Sequence, residues 1–298
     1  MTTPAPIDAA LRLVKEIYWY DLRHFVNSPV MLFGFPALFV LQLLAPVERG
    51  QKLFGPGTRA DIVWTVASFA FVATLLPAYL VYLRGLYESW IGAAPPVMTG
   101  DLPPWGAAVL GFLLIDFLAW FHHWVRHKVP AFWVFHAVHH SQRAMNPFAR
   151  DRIHPVDQLV ASAIIFLPMF LFEDGLRIAL NYFMLQVLLD HANHANIKTN
   201  FGILRYVLVT PQSHRVHHST SRQHYDRNFG VALSIWDHLF GTQYRDYGAY
   251  PDTGIPDPAF PYEDAPGEAG LMRRLIAQFL YPFKVLIPNV RDDFRRLP

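Results

Sequence analysis

Long apolar runs separated by short polar segments occupy most of the first two thirds of the chain. Five of them approach the length of about twenty residues with which a helix crosses a bilayer. They are Pro29 to Pro46, Ile62 to Leu83, Gly106 to Phe121, Leu159 to Phe172 and Leu176 to Leu189. The last two are short, and Glu173, Asp174 and Gly175 between them predict a helical hairpin. The pattern therefore predicts a membrane bundle with four or five spans.

The charges beside these runs indicate which helix ends face the cytosol, because cytoplasmic loops collect Lys and Arg. Basic residues follow the first and third runs: Arg49, Lys52, Arg59, Arg126, Lys128, Arg143, Arg150 and Arg152. Acidic residues outnumber basic ones between the second and third runs and at the hairpin turn. If all five runs cross, the N-terminus is outside and the segment after the third run is cytosolic. If the first run only dips into the membrane, the N-terminus is inside.

The region from Asn196 onward is polar and rich in His, Arg and Asp, which predicts a cytosolic cap. Within it, Leu271 to Ile287 mixes apolar and basic residues around Pro282, as is typical of a helix that lies in the membrane interface. We divide the chain into N-terminal membrane segments (1–105), a central domain of membrane helices and cap (106–245), and a C-terminal cap with the interfacial helix (246–298). The predicted fold class is all-α, an integral membrane helical bundle with a cytosolic, histidine-rich helical cap.

Composition supports a membrane location and excludes some kinds of chemistry. Hydrophobic residues make up 53% of the chain and aromatic residues 15%, more than a soluble domain usually carries. The chain has no cysteine, so any transition metal must be held by imidazole or carboxylate. The net charge is only +2 and the basic residues are dispersed, which argues against a nucleic-acid partner. Residues 1–15 lack the apolar core of a signal peptide, so membrane entry is expected from internal segments.

The histidines are the candidate chemistry. Of fifteen, all except His24 lie between His122 and His238. Eight form three groups with spacings of three and four residues, which place side chains on one helix face. The groups are His123 and His127; His136, His139 and His140; and His214, His217 and His218. Eight imidazoles exceed the needs of one tetrahedral zinc site, so two metal ions are predicted. His24 and His122 are expected to be structural, since His122 points about 100° away from His123 around a helix.

The order HxxxH, HxxHH, HxxHH resembles the fatty acid hydroxylase or sterol desaturase superfamily of membrane oxygenases, over about Asp116 to Tyr244. Flanking residues are similar too: Asp116-Phe117, Trp133 before Phe135-His136, Ser141, Arg152-x-His154-Pro155, His194-Ala195-Asn196, Pro211, and Asn228-Phe229-Gly230 leading to SIWDHLFGT. Two positions depart from the pattern, because Trp124 and His238 stand where many members have Arg. Both departures leave the choice of substrate open.

The resemblance implies a catalytic site with two iron ions, for which zinc can substitute on purification, and O2 as co-substrate. The eight grouped histidines would bind the metals, with one more ligand from the helix that returns to the cytosol. His194 is the expected ligand there, and His191 is a further candidate. The reaction implied is hydroxylation or desaturation of a lipid such as a sterol, fatty acyl or isoprenoid compound.

Several accessory features follow from the same interpretation. The chain has no G-x-G-x-x-G turn for a dinucleotide, so electrons are expected from a separate ferredoxin or cytochrome with its reductase. The expected location is the inner membrane of a bacterium or the endoplasmic reticulum of a eukaryote. His154 and His224 are candidates for supporting the site or touching substrate. Asp116, Asp190 and Asp237 are candidates for orienting the imidazoles by accepting hydrogen bonds.

Three other functions use the same residue types. A metal transporter would place ionisable residues at mid-membrane depth in several spans, whereas these histidines follow the spans. A membrane protein with structural zinc would need four closed ligands per ion. A metal-dependent hydrolase would use a nearby Glu or Asp as base, but the chain has no H-E-x-x-H helix.

Overall fold

The computed structural model describes residues 27–91, 103–172, 175–265 and 270–286. These ranges form α-helices and short helical turns, with two isolated β-bridges and no strand. A π-helical turn, Val30–Gly34, leads into α1. The helices are α1 Phe35–Leu44, α2 Pro56–Thr74, α3 Leu76–Ile91, α4 Pro104–Lys128, α5 Pro130–His140, α6 Pro155–Met169, α7 Gly175–Asn193, α8 Pro211–His217, α9 Ile235–Phe240 and α10 Leu271–Leu286. The predicted all-α class is confirmed for the described residues.

Proline determines where many of these helices start. Five of them begin at a proline, where the missing N–H has no helical partner to lose and the fixed φ is already helical. The residue before a proline is also driven away from helical ψ. Val129 shows the effect between α4 and α5, with φ −98° and ψ 110°. A single extended residue thus separates these two helices.

The predicted apolar runs all lie in helices, but they differ in their fitness to cross a membrane. Within the described ranges, Trp105–Lys128 of α4 is the one helix long and apolar enough to span by itself. The second run is not one straight helix, because α2 and α3 bend by 47° where they meet. Pro77 in the first turn of α3 explains the break, since its ring excludes the carbonyl four residues earlier. The α1 region and α6 are apolar but shorter than a span.

Helix α4 runs through the centre of the bundle and packs against α5, α6 and α7. The main core contains buried side chains from α3, α4, α6 and α7, including Leu80, Ile115, Leu118, Phe166 and Tyr182. Other large apolar side chains on the outer surface, such as Trp105 and Leu185, are 73% exposed. An exposed apolar surface of this kind fits a lipid environment.

Helix α10 has the two-sided character that the sequence predicts. Leu275, Tyr281 and Val285 are buried against α2 and α5, whereas Met272 and Ile276 are exposed. Residue 287 of the predicted interfacial stretch lies outside the described residues, as do Glu173 and Asp174 of the predicted hairpin turn and His24.

Buried carboxylates attach the cap to α4. Asp116 accepts hydrogen bonds from Tyr182 Oη at 2.5 Å and Trp236 Nε1 at 2.8 Å. Its two oxygens also accept from the backbone N–H groups of residues 232 and 233. Asp237 in turn accepts from Trp120 Nε1 at 3.0 Å. A charge inside an apolar bundle is costly without partners, so both carboxylates stabilise one position of the cap on this helix.

A second buried charge cluster joins α2 to the C-terminal part. Arg152 is fully buried and donates from Nε to Asp61 Oδ1 at 2.6 Å and from Nη2 to Glu263 Oε1 at 2.9 Å. Two carboxylates so close together depend on the cation between them, because removing one partner leaves uncompensated charge in a poorly solvated site.

We expect Arg152→Leu to lower the free energy of unfolding by about 3–5 kcal/mol, because it leaves the carboxylates of Asp61 and Glu263 without their cation. Arg84→Leu is the matched control, since Arg84 is half-exposed in its ion pair with Glu88 and should lose about 0.5 kcal/mol or less. Denaturant unfolding in detergent micelles measures both. Equal losses in the two variants would contradict the assignment.

Candidate metal centre

The break at Pro130 turns the first two histidine groups toward each other. His123 and His127 lie on one face in the last turns of α4, and α5 starts two residues after α4 ends. His136 of α5 then lies edge-on to both, with ring centroids 5.1 and 5.0 Å away.

The cap contributes the third group from α8. Thr210 and Ser213 form a capping box at the start of this short helix, and Pro211 occupies its first turn. His218 is the C-cap residue. The end of α7 contributes His194, which directly follows the last helical residue.

These elements bring nine imidazoles into two adjoining groups. In each group one nitrogen of every ring lies within 4.8 Å of the others. The first, the five-histidine group, contains His123, His127, His136, His140 and His217, and the second, the four-histidine group, contains His139, His194, His214 and His218. Eight of the nine are buried, and His127 is partly buried. The consecutive pairs of each HxxHH motif divide between the groups, so the two sites share their helices.

The distances between nitrogens fit ligands of a common ion. His194 Nε2 lies 2.8 Å from His214 Nε2 and 3.2 Å from His139 Nε2, and His218 Nε2 lies 3.1 Å from His214 Nε2. Two nitrogens bound at about 2.1 Å and at right angles to one metal would be about 3.0 Å apart. A neutral imidazole has one N–H, so a ring that donates from Nδ1 presents only a lone pair at Nε2 to its neighbours. The donor set therefore suits a transition metal in each group.

Backbone carbonyls orient several of the rings. Nδ1 of His123 contacts Phe229 O at 2.9 Å, and Nδ1 of His217 contacts Arg227 O at 2.8 Å. A ring that donates from Nδ1 keeps the lone pair of Nε2 for a metal. The Nε2 atoms of His123 and His217 are buried and have no hydrogen-bond partner among the described residues. A ring whose Nδ1 is hydrogen-bonded and whose Nε2 is free has the arrangement expected of a metal ligand.

A carboxylate that the sequence analysis did not consider orients His136. Asp157 Oδ2 lies 3.0 Å from His136 Nδ1 and accepts from Arg126 Nη1 at 2.8 Å. Asp157 follows Pro155 in the first turn of α6, where an acidic residue ordinarily indicates a helix start. Its spacing therefore gave no sign of this contact.

The three acids named from sequence have different surroundings. Asp190 lies beside the site, with Oδ1 3.4 Å from His194 Nδ1, and its other oxygen accepts from Arg150 Nε at 2.9 Å. Asp116 and Asp237 bind the cap backbone and tryptophans, as described above, and none of their recorded hydrogen bonds involves an imidazole.

His191 lies outside both groups. Its Nδ1 is 2.9 Å from Pro147 O, and Phe35 packs against its ring edge-on. One turn of α7 separates it from His194, but its ring faces α1. Among the described histidines, it belongs to the wall near the site.

Two further histidines stabilise local structure. His154 accepts from the backbone N–H of Val156 as the N-cap of α6 and contacts Phe279 O of α10 at 3.2 Å through Nε2. His224 Nδ1 lies 2.8 Å from Ser219 Oγ in the cap. Neither contacts the two groups directly.

Burial keeps the ligand candidates neutral. It lowers the pKa of His136, His139 and His140 well below the usual value, and the neighbouring imidazoles lower it further, as does Arg126 for His136 and His139. Burial also lowers the pKa of His217 to about 4. Because their pKa values are lowered, these side chains are neutral at neutral pH. A neutral imidazole has the free lone pair that binds a transition metal.

An apolar cavity of about 420 Å³ leads from the helices to the metal-binding groups. Helices α2, α3, α4, α6 and α7 form its walls, with Leu80, Ile165, Phe166 and Phe183 among the lining side chains. His123, His136, His139, His194 and His214 also line it. Its volume lies in the range of about 300–1,000 Å³ typical of small-molecule sites. An apolar molecule between these helices would reach the imidazoles.

A smaller cavity of about 80 Å³ lies on the cap side of the site. His127, His140 and His217 line it together with polar residues such as Tyr225 and Asp226. The two cavities therefore reach different histidines of the site.

Comparison with known proteins agrees with this geometry. Residues 108–242 match the fatty acid hydroxylase family model, and all nine grouped histidines lie in that range. Human alkylglycerol monooxygenase is 34% identical over 70% of this chain and 46% of its own length. Ornithine lipid hydroxylase OlsE of Rhizobium tropici is 31% identical over 45% of this chain and 40% of its own. A very-long-chain aldehyde decarbonylase of Oryza sativa subsp. indica is 27% identical over 56% of this chain and 28% of its own.

The chain thus spans less than half the length of these curated relatives. No solved structure matches it. The order of the histidine motifs, the matched region and the relatives all agree, and residues 108–242 of this chain form a fatty acid hydroxylase domain.

Proposed function

We propose that this protein is a membrane oxygenase that hydroxylates or desaturates a lipid, using two iron ions and O2. The observation that carries the proposal is the apolar cavity between helices that ends at two groups of buried imidazoles. The names of two relatives, a monooxygenase and a lipid hydroxylase, support lipid oxidation as the reaction class. The substrate itself is left open among sterol, acyl, isoprenoid and ether lipids.

The nine grouped histidines are the proposed ligands, one ion to each group. When bound, the metals supply O2 activation and removal of hydrogen from an unactivated carbon. Iron is the proposed active metal, and zinc is an expected substitute because imidazole binds both. We leave His191 out of the ligand set on the basis of its contacts with α1 and Pro147.

The chain's own residues orient the ligating rings and keep water out of the site. The carbonyls and Asp157 that accept from Nδ1 atoms fix the rings before any metal binds, so little reorganisation is needed. The apolar wall excludes water and holds a lipid chain against the imidazoles. Because the cavity is apolar like the bilayer, entry of a hydrocarbon chain costs little desolvation.

We propose lateral entry of the lipid from the membrane. Helices α4 and α7 both carry their histidines at their C-terminal ends, and the cap adds α8 over the same end. The site would then lie at the cytosolic mouth of the bundle, with electrons delivered to the cap by a separate ferredoxin or cytochrome and its reductase. The small cavity by Tyr225 approaches the site from the cap side.

The rival functions fit these observations less well. A structural zinc site closes with four ligands, whereas one group here offers five imidazoles. A transporter would place such groups at mid-depth of several helices, whereas these lie at helix ends. Neither rival accounts for an apolar cavity that reaches the metal-binding groups.

We expect about two transition metal ions per chain after purification under reducing, iron-replete conditions. His139→Ala should reduce the content and abolish lipid oxidation, because it removes one of four ligands from its group. Elemental analysis measures the metal. Mass spectrometry of lipids from expressing and non-expressing cells measures the product, as a gain of one oxygen or a loss of two hydrogens.

His191→Ala is the matched control for this experiment, since His191 is near the site but outside both groups. It should keep both metal ions. Absence of any transition metal from the wild-type protein would contradict the proposal, and loss of metal from His191→Ala would contradict the ligand assignment.

We expect Asp157→Asn to weaken metal binding by about 10- to 100-fold, because His136 loses the carboxylate that orients it and raises its basicity. Competition with a chelator measures the affinity. Asp252→Asn is the control, since Asp252 is an exposed acid of the cap and should leave the affinity unchanged. Similar affinities in wild type and Asp157→Asn would show that the contact does not support a ligand.

We expect Ala119→Trp to abolish lipid oxidation while the metal content stays near wild type, because the new ring would fill the cavity one turn before His123. Ala119 lines the cavity and is buried. Leu110→Trp is the control on the same helix, at a position that is 50% exposed. Full activity of Ala119→Trp on membrane lipid would argue against lateral entry through this cavity.

A further inference from the structure

Two neutral polar side chains of the cavity wall have no partner and no place in the proposed metal-binding groups. His122 is 7% exposed and Gln186 is 4% exposed, and both line the apolar cavity. His122 Nδ1 and Gln186 Oε1 are buried and have no hydrogen-bond partner among the described residues. Buried polar atoms without partners are costly and rare, so their position in a ligand-sized cavity calls for a ligand.

The two side chains come from different helices and lie short of the metal-binding groups. His122 precedes His123 on α4 and points about 100° away around the helix, which directs it to the cavity wall. Gln186 lies eight residues before His194 on α7, about 12 Å along the helix axis. Its neighbours in the cavity on the same helix, Phe183 and Val187, are apolar. Gln186 therefore presents a polar atom between apolar neighbours on α7.

The charged groups of the same wall are already paired. Arg126 donates to Asp157, and Arg150 donates to Asp190 and Asp151. Each of these two cations has a carboxylate partner, so neither is free to bind an anionic headgroup. Outside the metal-binding groups, the unpaired buried atoms of this wall are, among the described residues, Arg126 Nε, the amide oxygen of Gln186 and Nδ1 of His122. Arg126 is already held by Asp157, and the other two atoms call for a neutral hydrogen-bonding group.

A hydroxyl group matches this pair. The amide oxygen of Gln186 needs a donor, and the imidazole of His122 can donate or accept at Nδ1 according to its tautomer. A hydroxyl donates to the first and accepts from the second, whereas an ether or ester oxygen can only accept and a hydrocarbon can do neither. We propose that His122 and Gln186 form a subsite that binds a hydroxyl group of the lipid substrate. The subsite would thereby determine which carbon of the chain lies at the metal centre.

This proposal rests on the proposed function, since it assigns the substrate as a hydroxyl-bearing lipid. The test uses the purified, metal-loaded protein in detergent micelles. Binding of hexadecan-1-ol is compared with binding of 1-fluorohexadecane, which has the same chain and a similar end group but no donor. One hydrogen bond in a buried site corresponds to about a tenfold difference in Kd. We expect the wild type to prefer the alcohol by that factor.

Gln186→Met and His122→Phe should each bring the preference close to one while the affinity for the fluoroalkane stays within about twofold. Gln158→Met is the matched control, because Gln158 lines the same cavity but is only partly buried and should leave the preference intact. Equal binding of the two ligands by the wild type would overturn the proposal without recourse to any variant. Retention of the preference by Gln186→Met would overturn the role of that residue.

The same preparations separate this inference from the proposed function. If the alcohol is preferred but protein carrying both metals oxidises no lipid when O2 and a ferredoxin or cytochrome with its reductase are supplied, the oxygenase proposal fails and the subsite stands. If lipid is oxidised and the preference is absent, the subsite fails and the oxygenase proposal stands.

Discussion

Nine imidazoles buried side by side are the constraint on which the rest of this structure depends. Their nitrogens lie about 3 Å apart in places, so adding protons would set cations against one another in a poorly solvated site. Burial removes that possibility by keeping the rings neutral. Where a ring donates its single N–H from Nδ1 to a carbonyl, as His123 and His217 do, its Nε2 lone pair has no donor among the neighbouring rings. Metal ions would bind such lone pairs without adding protons to the rings. The arrangement makes sense as a pair of metal sites and has no evident advantage for stability alone.

The surrounding polar contacts hold this cluster in place. Pro130 separates two helices by one residue, so that the histidines of α4 and α5 face each other. Asp116 of α4 accepts from the cap backbone and Trp236, and Asp237 of the cap accepts from Trp120 of α4. The same segment of the cap supplies the carbonyl that orients His123. Asp116 and Asp237 thus have donors on both oxygens and act on the site indirectly, through the position of the cap.

The cavity is the feature on which the proposed lipid chemistry depends. Its largely apolar walls belong to helices that the sequence predicts to lie in the membrane, and it ends at imidazoles from α4, α5, α7 and α8. Apolar walls give little orientation to a hydrocarbon chain, because the hydrophobic effect is not directional. The proposed hydrogen-bonding subsite of His122 and Gln186 would hold one point of the lipid, so that one of its carbons lies at the metal centre.

The sequence by itself predicted the all-α class and the three histidine groups, because helical spacing puts residues three and four apart on one face. The family and the candidate ligand His194 came from a resemblance in motif order and flanking residues. Only the tertiary structure decided how the rings divide between two groups, that His191 faces away, and that Asp157 contacts His136. These depend on contacts between residues distant along the chain. The bend at Leu75 and the cavity beside His122 depend likewise on how the helices pack, which no local periodicity encodes.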